Sequence, residues 1–575
     1  MSWLVPLPVI LPLLGAGLTL ALLGRPRLQK IVSVTTLAAV LAVAVTLLVA
    51  VRDGPLVLQV GDWSGRGDPG VGIVVVADRL SALMLTVSAA VTLCVLLYSQ
   101  AHGDDEETTD DTTSQRRPGR ASALSTSSGP VSIYHPTYLI LTAGVADAFV
   151  AGDLFNLYVG FEVLLFASYV LLTLGGTAER IRAGSVYVVV AVTSSLLFLI
   201  GIAVAYGATG TLNLAQMGQR MADVDPNVRL LVAMLLLIAF GIKAAVFPLA
   251  FWLPDSYPTA PAPVTAVFAG LLTKVGVYAM IRTRTLLFPA GGLDDLLMWM
   301  ALATMIVGIL GAVAQDDIKR LLSFTLISHI GFMVFGVALA TQAAWSAAIY
   351  YVAHHITVQT ALFLVAGLVE RYGGTTSLTR LGGLAKATPV IAVLFFVPAI
   401  NLAGIPPLSG FVGKVGLLEA GAQVGTPIAY VLVAGSVVTS LLTLYAMVKA
   451  WNKAFWQPAP RPLPARPVPR GMLWPAAALV VASLGLTVAA GPLYSYTTRT
   501  ATELVAREPY ISAVMPVRAD PDAPDDQPAP TPTPSPAPVT QRPEATPVTP
   551  TPSPAPEDTS SDVPLEDPGS PEGGQ

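Results

Sequence analysis

Lys243 and Lys274 stand where cations are costly. The stretch from Phe240 to Tyr278 reads FGIKAAVFPLAFWLPDSYPTAPAPVTAVFAGLLTKVGVY, two apolar segments each long enough to lie in a bilayer and each holding one lysine. A lysine at the bilayer centre costs roughly 2.5–3.5 kcal/mol on an insertion scale, so two of them need a use. Pro248, Pro254, Pro258, Pro261 and Pro263 interrupt the same stretch. Prolines at membrane depth free backbone carbonyls, which is tolerated only where protein or a water-filled cavity satisfies them again. Buried cations beside broken helices are the arrangement of ion-translocating proteins. The plainer reading is a pair of lysines snorkelling from helix ends. Lys243 lies about fifteen residues into its segment, too deep to reach the interface comfortably.

Other polar groups recur at the same depth. Glu162 is the carboxylate of LFNLYVGFEVLLFASYVLL, and Lys243 is its obvious partner. Such a pair can simply fix helix register, but a pair of adjustable strength is also what a proton relay needs. His354 and His355 lie in AIYYVAHHITVQTALFLVAG, and histidine hands a proton either way near neutral pH. Adjacent residues point about 100° apart on a helix, so one of the two is expected to line a path. Gln359 shares the face of His355 and could hydrogen-bond water there. His329, in FTLISHIGFMVFG, is the weaker candidate, equally readable as a packed core histidine. Lys414 follows a second broken segment, NLAGIPPLSGFVGKVGLLEAG. The charged corner AQDDIKRLLSF, with Asp316, Asp317, Lys319 and Arg320, reads as capping and anchoring at a helix junction.

These groups need long apolar helices to hold them, and the composition supplies such helices. The chain has 575 residues, 53% hydrophobic and 12% charged, with a mean hydropathy of +0.66. Soluble chains carry about 25% charged residues, so this depletion argues for a membrane protein. The single cysteine, Cys94, excludes a disulfide or thiolate metal site within the chain. The N-terminal MSWLVPLPVILPLLGAGLTLALL has no basic leader, which reads as a retained first span.

Apolar runs of about 20 residues recur as far as residue 491. They are expected near 3–23, 29–51, 78–98, 136–152, 155–175, 184–206, 229–252, 263–283, 294–314, 320–341, 344–369, 388–424 (broken), 427–450 and 472–491. The fold class is therefore all-α, a polytopic bundle of about fourteen transmembrane helices. Lysines and arginines gather in the loops after the odd-numbered spans, which places those loops in the cytoplasm and both termini outside. Two hydrophilic segments are expected to be disordered. They are the charged, Ser/Thr-rich loop 103–130 and the acidic, Pro-rich tail 509–575, which is expected to be dispensable.

The division that follows is 1–102 for the first three helices, 103–130 for the loop and 131–283 for a first repeat of helices four to eight. Residues 284–455 form a second repeat of helices nine to thirteen, 456–508 a linker and last helix, and 509–575 the tail. Pro-broken helices in corresponding halves point to inverted repeats with an ion site at each break.

Together the residues carry a family resemblance. The motifs VADRLSALML, GDLFNLYVGFEVLLFASYVLL, GIKAAVFPLAFWLPDSYPTAPAPVTAVFAGLLTKVGVYA, DIKRLLSFTLISHIGF and GIPPLSGFVGK cover about residues 70–455. This region resembles the antiporter-like membrane subunits shared by Mrp-type multisubunit cation/proton antiporters and the proton-pumping arm of respiratory complex I. GDLFNLYVGFE and the SYPTAPAPV loop look more like the D-type member of the Mrp antiporters.

The resemblance implies that Glu162 and Lys243 form a half-channel pair, with Lys274, His355 and Lys414 continuing the path. Gln359 stands where relatives often carry a lysine. His329 and His354 remain secondary candidates.

The expected function is exchange of Na⁺ (or K⁺) for protons, within a hetero-oligomer of other antiporter subunits in a bacterial plasma membrane. Each hop changes the proton affinity of the next group through charge proximity. No cofactor, metal or nucleic acid is expected, since the chain has no CxxC, no GxGxxG at a strand–helix junction and no haem-ligand constellation. The rival reading is a pumping subunit of an NADH dehydrogenase-like redox complex, powered by electron transfer elsewhere. A non-conducting scaffold is a third reading, but a scaffold has no reason to keep four ionisable groups at membrane depth.

Overall fold

In the computed structural model, residues 1–61, 72–113, 131–289 and 291–515 are described. A 3-10 turn at the N-terminus leads into α1 (Leu7–Ala21) and α2 (Pro26–Ala50). A hairpin of β1 (Leu56–Val60) and β2 (Ile73–Ala77) follows, antiparallel with Leu56 opposite Ala77. Next come α3 (Arg79–Thr113), α4 (Val131–Val150), α5 (Leu154–Thr173), α6 (Ala178–Thr209), the short α7 (Leu214–Arg220) and α8 (Pro226–Ala244). After the one-turn α9 (Leu253–Ser256), α10 (Ala262–Val267) and α11 (Thr273–Leu287) form one span, joined through a π-helical turn at Phe268–Leu272. Then follow α12 (Asp294–Ala314), α13 (Ile318–Leu339), α14 (Gln342–Gly373), the one-turn α15 (Leu384–Ala387), α16 (Pro389–Ala403), α17 (Ser409–Val424) and α18 (Pro427–Trp451). The described part closes with α19 (Arg470–Val488), α20 (Ala490–Ala506) and α21 (Glu508–Val514).

Twelve helices among the described residues are long and apolar enough to cross a membrane. The expected span near 136–152 is α4, and that near 388–424 is divided between α16 and α17. Burial ranks the spans. In the spans Ala262–Leu287, Ile318–Leu339 and Gln342–Gly373, 94–100% of the apolar window is covered by other protein, against 28–67% in the rest. These three are the centre of the bundle, and they carry Lys274, His329, His354, His355 and Gln359. A polar side chain there faces protein on every side, the placement expected of functional groups in membrane helices.

Two expectations about the hydrophilic segments need correction. The helix of span three continues to Thr113, into the segment 103–130 expected to be a loop. A helix already nucleated by an apolar span propagates through Asp, Glu and Thr at little cost per residue, and no proline interrupts it before Pro118. The expected start of the tail at 509 is also too early, because α21 occupies Glu508–Val514 with Tyr510, Ile511 and Val514 buried. The remainder of both segments, 114–130 and 516–575, lies outside the described residues. Truncation after Met515 should therefore leave the amount of assembled protein unchanged, because what is removed has almost no apolar residues to bury. Truncation after Ala506 should lower it, since each large apolar side chain withdrawn from water contributes about 1.5–3 kcal/mol. Comparing the two truncations by thermal melting of the detergent-extracted protein checks this.

Candidate functional site

The first half of the site is built at the end of α8. The helix stops at Ala245, which takes the left-handed conformation at φ 59°, and Pro248 follows, which cannot continue the hydrogen-bond ladder. Two carbonyls of the last turn are satisfied locally. Gly241 accepts from Val246 N at 2.9 Å, and Ile242 accepts from the indole Nε1 of Trp252 at 3.1 Å. Phe247 N donates to Thr304 Oγ1 of α12 at 3.0 Å. Lys243 is in the last turn, where the helix dipole favours a cation. Its Nζ stands 4.9 Å from the centre of the Phe161 ring.

The sequence led us to expect a direct pair of Glu162 and Lys243, but the two meet only through a third residue. Lys243 Nζ donates to Ser195 Oγ at 3.1 Å, and the Ser195 hydroxyl donates to Glu162 Oε1. The reason is topological. Helix α6 packs against both α5 and α8, so a side chain of α6 fills the space between the two charges. Ser195 is buried, and Glu162 is half-buried.

The second group is fully enclosed. Lys274 has no exposed surface, and its Nζ donates to the Ala269 carbonyl at 2.5 Å. Ala269 belongs to the π turn, where the wider ring disturbs the α-helical ladder and leaves a carbonyl for the ammonium. Helix α14 packs on this turn and brings both histidines into the core.

His355 is wholly buried, and neither ring nitrogen has a hydrogen-bond partner among the described residues. Its ring lies 5.2 Å from that of His329 on α13. His329 Nδ1 shares a 2.5 Å hydrogen bond with the Tyr351 hydroxyl. The structure therefore places His329 in the polar cluster rather than apart from it. His354 points elsewhere, as adjacent helix positions require, and its Nδ1 shares a 2.9 Å bond with Ser409 Oγ at the start of α17. The two rings thus face different neighbours, His354 towards Ser409 and His355 towards His329. Gln359 is tied to the backbone, its Nε2 donating to Leu322 O at 2.8 Å, while its Oε1 has no partner among the described residues.

The third group lies at the second break. Helix α16 ends at Gly404, φ +86°, and the Ile-Pro-Pro sequence cannot restart a helix before Ser409. The carbonyls of Leu402 and Ala403 are left without amide partners, and Lys414 Nζ donates to them at 3.2 and 3.0 Å. The same ammonium sits 4.8 Å from the Phe332 ring centre. Asn401 completes the break, its Oδ1 accepting from Gly410 N at 2.9 Å. Each of the three lysines is thus held at an irregularity of its own helix system.

The corner 314–324 anchors, as expected. Asp317 caps α13 through Arg320 N at 3.0 Å. Lys319 pairs with Glu370 at 2.6 Å, Arg320 with Asp255 at 2.9 Å, and Asp316 with Lys453 at 2.9 Å. At the opposite end, Arg282 forks onto Asp78 at 2.7 and 2.8 Å. Burial works against the charge of Asp78, but Arg282 and Ser81 outweigh it and hold the carboxyl below its ordinary range. Sequence reasoning missed Ser195 and also Asp147 on α4, which accepts from Asn156 Nδ2 at 3.2 Å. Asp147 was detectable as a lone acid in an apolar run; Ser195 was not.

Comparison with known proteins shows the family of the chain. Residues 151–443 match the family described as NADH:quinone oxidoreductase/Mrp antiporter, transmembrane. The chain belongs to that family. It is 38% identical to the D-type Na(+)/H(+) antiporter subunit of Alkalihalophilus pseudofirmus over 520 residues, covering 90% of this chain and 100% of that one. A chain of the Mrp complex from Dietzia sp. DQ12-45-1b superposes with a TM-score of 0.80 at 33% identity, covering 89% of this chain and 100% of that one. A chain of the membrane-bound sulfane sulfur reductase, an archaeal respiratory membrane complex, gives 0.77 at 26% identity, covering 89% and 99%. The matched region contains Glu162, Ser195 and all three lysines of the site.

Proposed function

We propose that this chain is the D-type, proton-translocating membrane component of a multisubunit Na⁺ (or K⁺)/proton antiporter, assembled with other antiporter subunits in a bacterial plasma membrane. Both termini face outside, in keeping with the basic residues that follow odd-numbered spans. Protons move along Glu162, Lys243, Lys274, His355 and Lys414, with His329, His354 and Gln359 lining the middle of the path. One observation carries this reading: three lysines, each nine-tenths or more buried, bond to a hydroxyl or to carbonyls freed by helix breaks and meet no carboxylate directly. A carbonyl accepts from an ammonium and cannot neutralise it, so such a lysine keeps the freedom to release its proton. Two charged lysines in this low-dielectric interior repel one another, so a proton arriving on one drives the next to leave.

The antiporter reading is favoured over a redox pump by the relatives, which are named as Na(+)/H(+) antiporter components and match at high coverage. Membrane vesicles containing the whole complex test it. With an imposed pH gradient and no electron donor, adding Na⁺ or K⁺ should dissipate the gradient. Proton movement that depends on an electron donor and ignores both cations would establish the redox reading instead.

A further inference from the structure

We propose that Ser195 is the proton-relay residue between Glu162 and Lys243, an inference that rests on the pathway assigned above. Its hydroxyl is the group that touches both charges. It accepts from Lys243 Nζ at 3.1 Å and donates to Glu162 Oε1. A hydroxyl has one proton to give and lone pairs to receive one, so it conducts in either direction without changing its own state. In the step, an N–H bond of the Lys243 ammonium breaks as that proton bonds to Ser195 Oγ. The original Ser195 O–H bond breaks as its proton bonds to Glu162 Oε1. The products are a neutral amine, an intact serine and a neutral carboxylic acid, and the reverse step restores the ion pair.

The same position makes Ser195 a switch. While Lys243 is charged, the hydroxyl proton is directed at the carboxylate. Once Lys243 has passed its proton onward to another group instead, the amine presents a lone pair and the hydroxyl can turn to donate to it. Glu162 then loses its donor, so the protonation of one group is felt by the other through a single rotor. A direct ion pair has no such intermediate state.

The neighbouring residue supplies a control. Ser194 is equally buried on α6, and its hydroxyl donates to the Ala239 carbonyl of α8 at 2.9 Å. It contributes the same chemical group to the same helix interface without touching either charge. Cation-dependent proton flux would be measured in vesicles of the whole complex carrying Ser195→Ala, Ser195→Val, Ser195→Thr or Ser194→Ala, alongside Glu162→Ala and Lys243→Ala.

Ser195→Ala and Ser195→Val should reduce exchange by about tenfold or more, the lower end of what a positioned proton-transfer group supplies. Ser195→Thr, which keeps the hydroxyl, should restore most of it, and Ser194→Ala should leave it near normal. If Ser195→Ala fails to assemble, Ser195→Val, which has the shape of the threonine variant without its hydroxyl, carries the test. More than half the normal flux in an assembled Ser195→Val or Ser195→Ala, with Glu162→Ala and Lys243→Ala inactive, would remove Ser195 from the path and leave the pathway standing. Normal flux in Glu162→Ala or Lys243→Ala would overturn both.

Discussion

Replacing Glu162 or Lys243 by alanine should stop exchange in each case, and replacing both should cost transport no more than either change alone. Two groups that pass one proton between them act as a unit, so the second loss removes nothing further. Stability should behave differently. Removing Glu162 leaves Lys243 an uncompensated cation at the end of α8, with only the hydroxyl of Ser195 and the face of Phe161 to hold it. Removing Lys243 leaves Glu162 with the Ser195 hydroxyl alone. The double mutant has no unpaired charge, so it should be less damaged than the sum of the singles by about 0.5–3 kcal/mol, the usual coupling of residues in one network. Repeating the cycle in Ser195→Ala should shrink that coupling, because the contact between the charges runs through the hydroxyl. The readouts are proton flux and the melting temperature of the assembled complex. Strictly additive losses of stability would mean that the two charges do not interact, and the half-channel built on them would fall.

The fold was legible in this sequence wherever cost made it visible. Lys243, Lys274 and Lys414 stood out because a cation in an apolar run is expensive, and the breaks beside Lys243 and Lys414 because Pro248 and the Pro406-Pro407 pair cannot continue a helix. The π turn beside Lys274 has no such marker, since Phe-Ala-Gly-Leu-Leu is ordinary helical sequence. Ser195 was hidden for the opposite reason. Hydroxyls are cheap in membrane helices because they bond back to the preceding turn, as Thr193 does to Val189 O at 2.8 Å. Ser195 is one of many such residues until α5 and α8 are placed on either side of it. The helices α20 and α21 escaped notice because they are short and polar, and a hydropathy window finds only long apolar runs. The two histidines, taken on a single helix, read as one facing a path and one facing away. In the bundle, α14 is surrounded, so His354 meets the α16–α17 break while His355 meets α13.

At the second break, Lys414→Ala should abolish exchange, and the replacement that decides why is Lys414→Arg. In the alanine variant the carbonyls of Leu402 and Ala403 lose their donor, and each buried acceptor left unpaired costs about 1–3 kcal/mol unless water reaches it. Lost transport in that variant could therefore follow from a disturbed break rather than a missing proton carrier. Arginine keeps a positive charge and N–H donors for the two carbonyls, but its guanidinium does not release a proton in a protein. If Lys414 only anchors the end of α16, arginine should preserve exchange. If Lys414 carries the proton, arginine should be assembled and inactive, with flux reduced on the order of a hundredfold or more.

Gly404→Ala gives the converse test, since it changes no ionisable group. Gly404 has φ +86°, and an added Cβ would lie 2.9 Å from Lys414 Cδ and 3.4 Å from its Nζ. The methyl group must either turn the backbone out of its left-handed conformation or push the ammonium off the two carbonyls. Exchange should fall in this variant with the complex still assembled. Full flux in both Lys414→Arg and Gly404→Ala would show that neither the position nor the proton of Lys414 matters, and the path would have to leave the bundle before α17.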